Sequence, residues 1–92
     1  MLTIGEFANL GGVSARMLRH YDKIGLLSPA HIGMENGYRY YDDTQLSVVE
    51  QIEALQNYGF TLTKIKELLP LPQRQLAEEI HVQRIKVYAD LN

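Results

Sequence analysis

The sequence predicts a mainly helical fold, a winged helix-turn-helix with a small β-hairpin wing and a long C-terminal helix. Residues 12–29 contain a serine-capped amphipathic segment that ends in glycine and proline, as expected for the second helix of a helix-turn-helix. Residues 30–41 then combine turn-forming residues with an aromatic strand, which is typical of a hairpin wing. With 92 residues, the chain has room for one small domain.

The first helix is predicted from about Ile4 to Asn9. Thr3 and Glu6 have the spacing of a capping box, in which a hydroxyl and a carboxylate satisfy free amides at a helix start. Gly11 and Gly12 supply the backbone freedom that ends this helix.

The second helix is predicted to begin after Ser14, a favourable N-cap residue, and to end at Gly25 before Pro29. Its apolar residues form a stripe that should pack on the domain: Val13, Met17, Leu18, Tyr21 and Ile24. Its basic residues lie on the remaining face: Arg16, Arg19, His20 and Lys23. One side of the helix therefore packs and the other projects.

The wing is predicted between Ala30 and Tyr41 as a two-stranded hairpin, because Gly33, Asn36 and Gly37 are turn formers. Along its second strand, side chains alternate between the two faces. Tyr38 and Tyr40 share one face, and Arg39 and Tyr41 share the other. One of these faces should pack on the domain.

Two more helices are predicted before a proline-marked boundary. Asp42 and Gln45 have capping spacing and precede an apolar stripe that reaches about Tyr58, where Gly59 follows. A fourth helix starts at Thr61 or Thr63 and ends at the prolines, Pro70 and Pro72.

A last helix is predicted from Gln73 onward, so that residues 1–70 form the winged domain and residues 71–92 begin a separate helix. Its apolar residues form two neighbouring rows: Leu76, Ile80, Val87 and Leu91 in one, and Val82, Ile85 and Tyr88 in the other. So much apolar surface needs a partner. We expect the helix to project away from its own domain rather than fold back on it.

Composition excludes several classes of protein. Without cysteine there are no disulfides or thiolate metal sites, and the three histidines are scattered, so we expect no enzyme, cofactor or metal centre. No segment approaches the length of a membrane span, and we expect a cytoplasmic protein. The net charge of −2 is unusual for a nucleic-acid-binding domain, but residues 13–24 hold three positive charges against one negative.

The basic face of the second helix favours binding to DNA, because an α-helix fits the major groove. Arg16 lies early in the helix and is suited to guanine or phosphate, whereas Arg19 is better placed for a phosphate. Each could instead be an exposed solubilising residue, and the helix dipole explains Lys23 equally well. Arg39 on a wing could reach flanking phosphates, or be incidental to an aromatic hairpin.

These residues together resemble the MerR-type transcriptional regulators, whose DNA-binding domain is a winged helix-turn-helix. The resemblance spans Ile4 to Leu69 and depends most on Arg16, Tyr21 and Gly25 in the second helix, on the segment 37–41, and on the Gly59 turn. The chain departs from the family pattern at His20, where Tyr is frequent, and at His31, where many members have Arg.

The resemblance implies a homodimer joined by an antiparallel coiled coil, bound to a palindromic promoter spacer that it distorts so that RNA polymerase can engage. By matching position it implies DNA contacts at Arg16, Arg19 and His20 on the second helix and at Tyr38 and Arg39 on the wing, with Lys64 as a weaker candidate. We also expect Ser14, Tyr21 and Lys23 to belong to the DNA-binding set. The corresponding dimer contacts are Leu76, Ile80, Val87 and Leu91. We expect the DNA-binding part of a longer protein, with any small-molecule effector bound outside this segment. The alternatives are an excisionase-like DNA-bending factor and a protein-interaction module.

Overall fold

The computed structural model describes residues 1–90, with side chains described through Val87. The elements in chain order are β1 (Leu2–Thr3), α1 (Ile4–Gly11), α2 (Ala15–Lys23), β2 (His31–Ile32), β3 (Arg39–Tyr41), α3 (Leu46–Asn57), α4 (Leu62–Leu68) and α5 (Gln73–Asp90). The chain divides into two compact units, residues 1–50 and the residues from Gln51 onward. The domain boundary that the sequence predicts at residue 70, between the winged domain and the last helix, stays a prediction.

Local hydrogen bonds fix the start of α1 as the sequence predicts. The Thr3 hydroxyl accepts from the Glu6 amide at 3.2 Å, and the Glu6 carboxylate accepts from the Thr3 amide at 3.0 Å. These bonds hold the pKa of Glu6 below its ordinary value, with the backbone bond to Thr3 as the main cause. The helix continues to Gly11, two residues beyond the expected end, and Gly12 adopts a left-handed backbone with φ of 66°.

Both ends of α2 also follow the prediction. The Ser14 hydroxyl accepts from the Met17 amide at 3.0 Å. At the other end Gly25 has φ of 75°, its amide donates to the Asp22 carbonyl at 3.1 Å, and the Leu26 amide donates to the Tyr21 carbonyl at 2.8 Å. This pair of bonds is a Schellman motif, which needs a left-handed residue at the position of Gly25. The orientation of α2 is therefore set at both ends.

The wing belongs to a three-stranded antiparallel sheet in the order β1-β3-β2, not to the two-stranded hairpin that the sequence predicts. Leu2 pairs with Tyr41, and His31 pairs with Tyr40. The prediction missed β1 because two residues are too few to show an alternating pattern. The extra strand ties the chain start to the base of the wing.

A compact turn closes the wing. The Asn36 carboxamide accepts from the Tyr38 amide at 2.9 Å and donates to the Tyr40 hydroxyl at 3.4 Å. The Gly33 amide donates to the Tyr38 carbonyl at 2.8 Å, and the Gly37 amide donates to the Gly33 carbonyl at the same distance. A Cβ atom at Gly33 would overlap the Asn36 carboxamide, so a larger residue there would displace the Asn36 side chain. These contacts define the conformation of the wing tip.

The core of the first unit forms where α1, α2 and β3 meet. Phe7, Leu18 and Tyr41 are fully buried, and the rings of Phe7 and Tyr41 stack with centroids 4.5 Å apart. The packed face of β3 is therefore the one that carries Arg39 and Tyr41. The other buried apolar residues of this unit are Ala8, Tyr21, Leu26, Leu27 and Val49.

The chain then enters α3 through a short 3-10 turn, Asp43–Gln45, where the sequence predicts one continuous helix. The Asp42 carboxylate accepts from the Thr44 amide, and the Gln45 side chain accepts from the Asp42 amide at 2.9 Å, which confirms the predicted cap. The backbone bond to Thr44 is the main cause that lowers the pKa of Asp42. In the second unit, the buried residues are Ile52, Leu55, Phe60, Ile65 and Leu68.

One face of α5 lies against the turn between α3 and α4. A Cβ atom at Gly59 would meet the Gln83 side chain at 3.0 Å and Val87 at 4.0 Å. Whether α5 projects away from the winged domain stays a prediction. None of the helices in the described residues is long and apolar enough to cross a membrane.

Candidate nucleic-acid interface

The solvent-facing side of α2 carries four exposed side chains with cationic or titratable groups. They are Arg16, Arg19, His20 and Lys23. Ser14 and Gly25 fix the two ends of the helix, and Leu18 anchors its opposite face in the core. The helix can therefore present this face to a partner without rearrangement of its backbone.

A groove of about 340 Å³ lies beside α2 and is shared with the wing. Its functional groups are the Arg19 side chain from α2 and the Tyr38 and Arg39 side chains from the wing, with Thr3, Ile4 and Gly37 completing the wall. Tyr38 is 63% exposed. Two guanidinium groups and a phenol on one groove form a suitable site for a phosphate group.

An ion pair connects α2 to the wing within this unit. Arg39 donates from Nε to the Asp22 carboxylate at 3.4 Å, and both side chains are partly exposed. The pair joins residues 17 positions apart. It holds the base of the wing at the end of the basic helix.

Tyr41 is buried beside this ion pair, and its hydroxyl has no hydrogen-bond partner among the described residues. Burial raises the pKa of Tyr41 above its ordinary value, and the charge of Asp22 raises it further, while Arg39 and Arg19 oppose the shift. An unpaired buried hydroxyl destabilises a fold by about 1–3 kcal/mol. Tyr41 therefore contributes through its ring.

We expect Tyr41→Phe to leave the free energy of unfolding unchanged or to raise it by about 1 kcal/mol, because the ring stays and only an unpaired hydroxyl is removed. Urea unfolding followed by circular dichroism measures this. Tyr40→Phe is the control, since the Tyr40 hydroxyl accepts a hydrogen bond from Asn36. A loss of stability in Tyr41→Phe beyond that of the control would show that the Tyr41 hydroxyl is bonded.

The remaining predicted contacts, Tyr21, Ser14 and Lys64, differ in exposure and already take part in contacts within the chain. Tyr21 is only 2% exposed, so its ring packs in the core, and a DNA contact by this residue stays a prediction. Its place in the apolar stripe already indicated packing. Ser14 uses its hydroxyl as the acceptor of the helix cap. Lys64 is half-buried in the second unit and lies 3.6 Å from the Glu67 carboxylate.

The predicted dimer contacts separate into two groups. Leu76 and Ile80 are half-buried, Val87 is 40% exposed, and Leu91 lies outside the described residues. The more exposed apolar groups belong to the second row, with Val82 at 50% and Ile85 at 55%. Whether any of these residues contacts a partner stays a prediction.

Sequence reasoning did not single out Asp22 as part of the site. The signal that could have indicated it is an acidic residue within an otherwise basic helix. An acid in the last turn of a helix is disfavoured by the helix dipole, which suggests a specific partner for it.

Chain comparison identifies the class of protein to which this fold and site belong. Residues 2–71 match the model of the MerR HTH family of regulatory proteins, and the chain belongs to that family. The family consists of transcriptional regulators and not of enzymes, which agrees with the expectation from sequence. Among the described residues, no three His, Cys, Asp or Glu side chains form a group that could hold a metal ion.

Similar proteins include regulators from several bacteria. The transcriptional regulator BrlR of Pseudomonas aeruginosa is 46% identical over 68 residues, which cover 74% of this chain and 25% of BrlR. The N-terminal part of Mta, the multidrug transporter activator of Bacillus subtilis, is 33% identical with a TM-score of 0.87, over 98% of this chain and 84% of that one. Its structure confirms the mainly helical fold.

A third similar structure is HiNmlR, a MerR family regulator lacking the sensor domain, bound to promoter DNA. It is 29% identical with a TM-score of 0.70, over 98% of this chain and 75% of that one. The chain spans about a quarter to a half of the length of the first curated relatives that it matches.

Proposed function

We propose that this chain binds promoter DNA as a homodimer and controls transcription from that promoter in the cytoplasm. The observation that carries the proposal is the groove in which Arg19 of α2 faces Tyr38 and Arg39 of the wing. Arg16 is exposed one turn earlier on the same helix. A basic helix beside a groove with two arginines fits a duplex whose major groove receives the helix and whose flanking phosphates meet the wing.

The roles of these residues follow from their positions. Arg16 lies in the first turn of α2, from which recognition helices reach base edges, and its guanidinium can pair bidentately with guanine. Arg19 and Arg39 line the groove and bind phosphates, while the Tyr38 hydroxyl donates to a phosphate oxygen. His20 and Lys23 add contacts along the same exposed face.

Two copies joined through α5 would place two such sites on a palindromic promoter. Val82 and Ile85 offer apolar surface to a second copy. By bending and untwisting the spacer, the dimer would act on RNA polymerase through the shape of the DNA, at a deformation cost of a few kcal/mol that added contacts offset. A small-molecule effector would bind outside this segment.

A regulatory function is favoured over that of an excisionase-like DNA-bending factor. Only the shared fold supports the second function. HiNmlR is a MerR family regulator without a sensor domain, so the family itself includes proteins without that part. The direct test is a mobility-shift titration of this chain on the DNA upstream of its own reading frame. Failure to shift that DNA more strongly than a mixed-sequence duplex would count against the proposal.

Arg16→Ala should weaken binding to the specific site by about 1–3 kcal/mol and should have a smaller effect on mixed-sequence DNA, because a lost base contact reduces discrimination. Fluorescence anisotropy with both duplexes measures the two affinities. Lys66→Ala, on the exposed surface of α4, is a charge-matched control. An equal loss on both duplexes would exclude a base-reading role for Arg16.

Arg39→Ala should weaken binding to both duplexes to the same extent and should reduce the slope of log K against log salt by about 0.9, because one phosphate contact is lost. The measurement is anisotropy across a series of salt concentrations. An unchanged slope would show that Arg39 does not contact a phosphate.

A further inference from the structure

Asp22 occupies an electrostatically unfavourable position for a DNA-binding helix. It lies in the last turn of α2, where the helix dipole disfavours a negative charge, and it follows the exposed residues Arg19 and His20. A carboxylate on this helix also repels the phosphates of a bound duplex. Two unfavourable effects at one residue indicate a compensating role.

The geometry of the ion pair shows what this role can be. The bond to Asp22 uses the Nε–H of Arg39, while a guanidinium group has five N–H donors in a rigid plane. The donors on the two Nη atoms are therefore left for another acceptor. Arg39 also lines the groove with Arg19 and Tyr38, so its side chain is within reach of an anion bound there.

The surroundings make Asp22 suited to hold one orientation of Arg39. The Asp22 side chain is 25% exposed and that of Arg39 is 38% exposed, so the pair is partly shielded from solvent. The Arg39 backbone is fixed in β3 by its pairing with Ile32. The stem of Arg39 leaves a fixed strand, and its Nε is held by a fixed helix.

We propose that Asp22 is a positioning residue for DNA binding, which holds the Arg39 guanidinium so that its Nη donors face a backbone phosphate. The proposal depends on the proposed function and adds to it an acidic residue that strengthens binding to a polyanion. Simple charge counting gives the opposite expectation, because removing a negative charge from the interface should tighten binding.

The test compares Asp22→Asn and Asp22→Ala with the intact 92-residue chain on a fluorescein-labelled duplex of mixed sequence. We expect both variants to bind about two- to fivefold more weakly, as suits a partly exposed ion pair, with Asp22→Ala the weaker of the two. We also expect a shallower salt dependence, because the phosphate contact of Arg39 is impaired. Asn and Ala are both compatible with the helix, and circular dichroism verifies the fold.

The matched control is Glu35→Gln, which removes one negative charge from the exposed wing tip, where Glu35 has no ion pair among the described residues. This variant should bind equally or more tightly. In an Arg39→Ala background, Asp22→Asn should cause no further weakening. Unchanged or tighter binding by Asp22→Asn, or additive losses in the double variant, would overturn the proposal.

The proposed function can fail separately from this inference. If the unaltered chain shows no salt-dependent binding to any duplex, the proposed function fails, and the inference fails with it. If the chain binds, Arg39→Ala reduces the salt slope and Asp22→Asn does not weaken binding, only the positioning role is overturned.

Discussion

Phe7→Ala is expected to destabilise the protein by about 3–5 kcal/mol, which is a large share of the stability of a small domain. Phe7 is fully buried, and its ring stacks on Tyr41 at 4.5 Å between α1 and β3. The substitution leaves a cavity and removes the stacked pair. For a domain of this size, such a change lowers the midpoint of thermal unfolding by more than about 10 °C.

Thermal and urea unfolding followed by circular dichroism measure this effect. Leu10→Ala is the matched control, because Leu10 lies on the same helix with 64% of its surface exposed and its truncation should change stability by less than about 0.5 kcal/mol. Similar losses in the two variants would contradict the packing described here. Phe7→Ala should lose DNA binding only at the temperatures or urea concentrations at which it unfolds.

Helix boundaries could be predicted from the sequence because short-range chemistry determines them. The capping bonds at Thr3, Ser14 and Asp42 join residues two or three positions apart, so their spacing is visible in the chain. The left-handed glycines Gly12 and Gly25 have the same local character. At these caps sequence and structure agree, although α1 ends two residues later than predicted and α3 begins after a 3-10 turn.

Features that depend on contacts between residues far apart in the sequence could not be predicted in this way. β1 exists because Leu2 pairs with Tyr41, a partner 39 positions away, and nothing near Leu2 in the sequence indicates that pairing. The Asp22–Arg39 pair likewise joins two elements. The exposed basic face of α2 was predictable from helical periodicity, whereas the groove that it shares with the wing depends on tertiary packing.

Burial supports one of the two roles that the sequence left open for Tyr21. Tyr21 belongs both to the apolar stripe of α2 and to the residues expected to contact DNA. At 2% exposure its ring packs in the core, as the periodicity of the stripe predicts. A DNA contact by Tyr21 stays a prediction.

The double variant Val82→Glu with Ile85→Glu is expected to convert the proposed dimer into a monomer. These two residues are the more exposed apolar groups of the described part of α5, and a buried carboxylate at each would prevent helix pairing. Loss of the dimer should reduce affinity for a palindromic site by several orders of magnitude, because two linked sites no longer bind together. Binding to mixed-sequence DNA should fall far less.

A substitution at Ile80 should have a different effect, because Ile80 lies in the other apolar row of α5. Ile80 is half-buried, and α5 approaches Gly59 through Gln83 and Val87. Ile80→Glu should therefore lower the thermal stability of the chain in addition to any loss of the dimer. Gln75→Glu with His81→Glu adds acidic groups at exposed polar positions of the same helix and serves as the control for charge. Sedimentation equilibrium gives the mass of each variant. A double variant at Val82 and Ile85 that keeps the dimer mass would place the interface elsewhere, because two carboxylates cannot be buried unpaired between apolar helices.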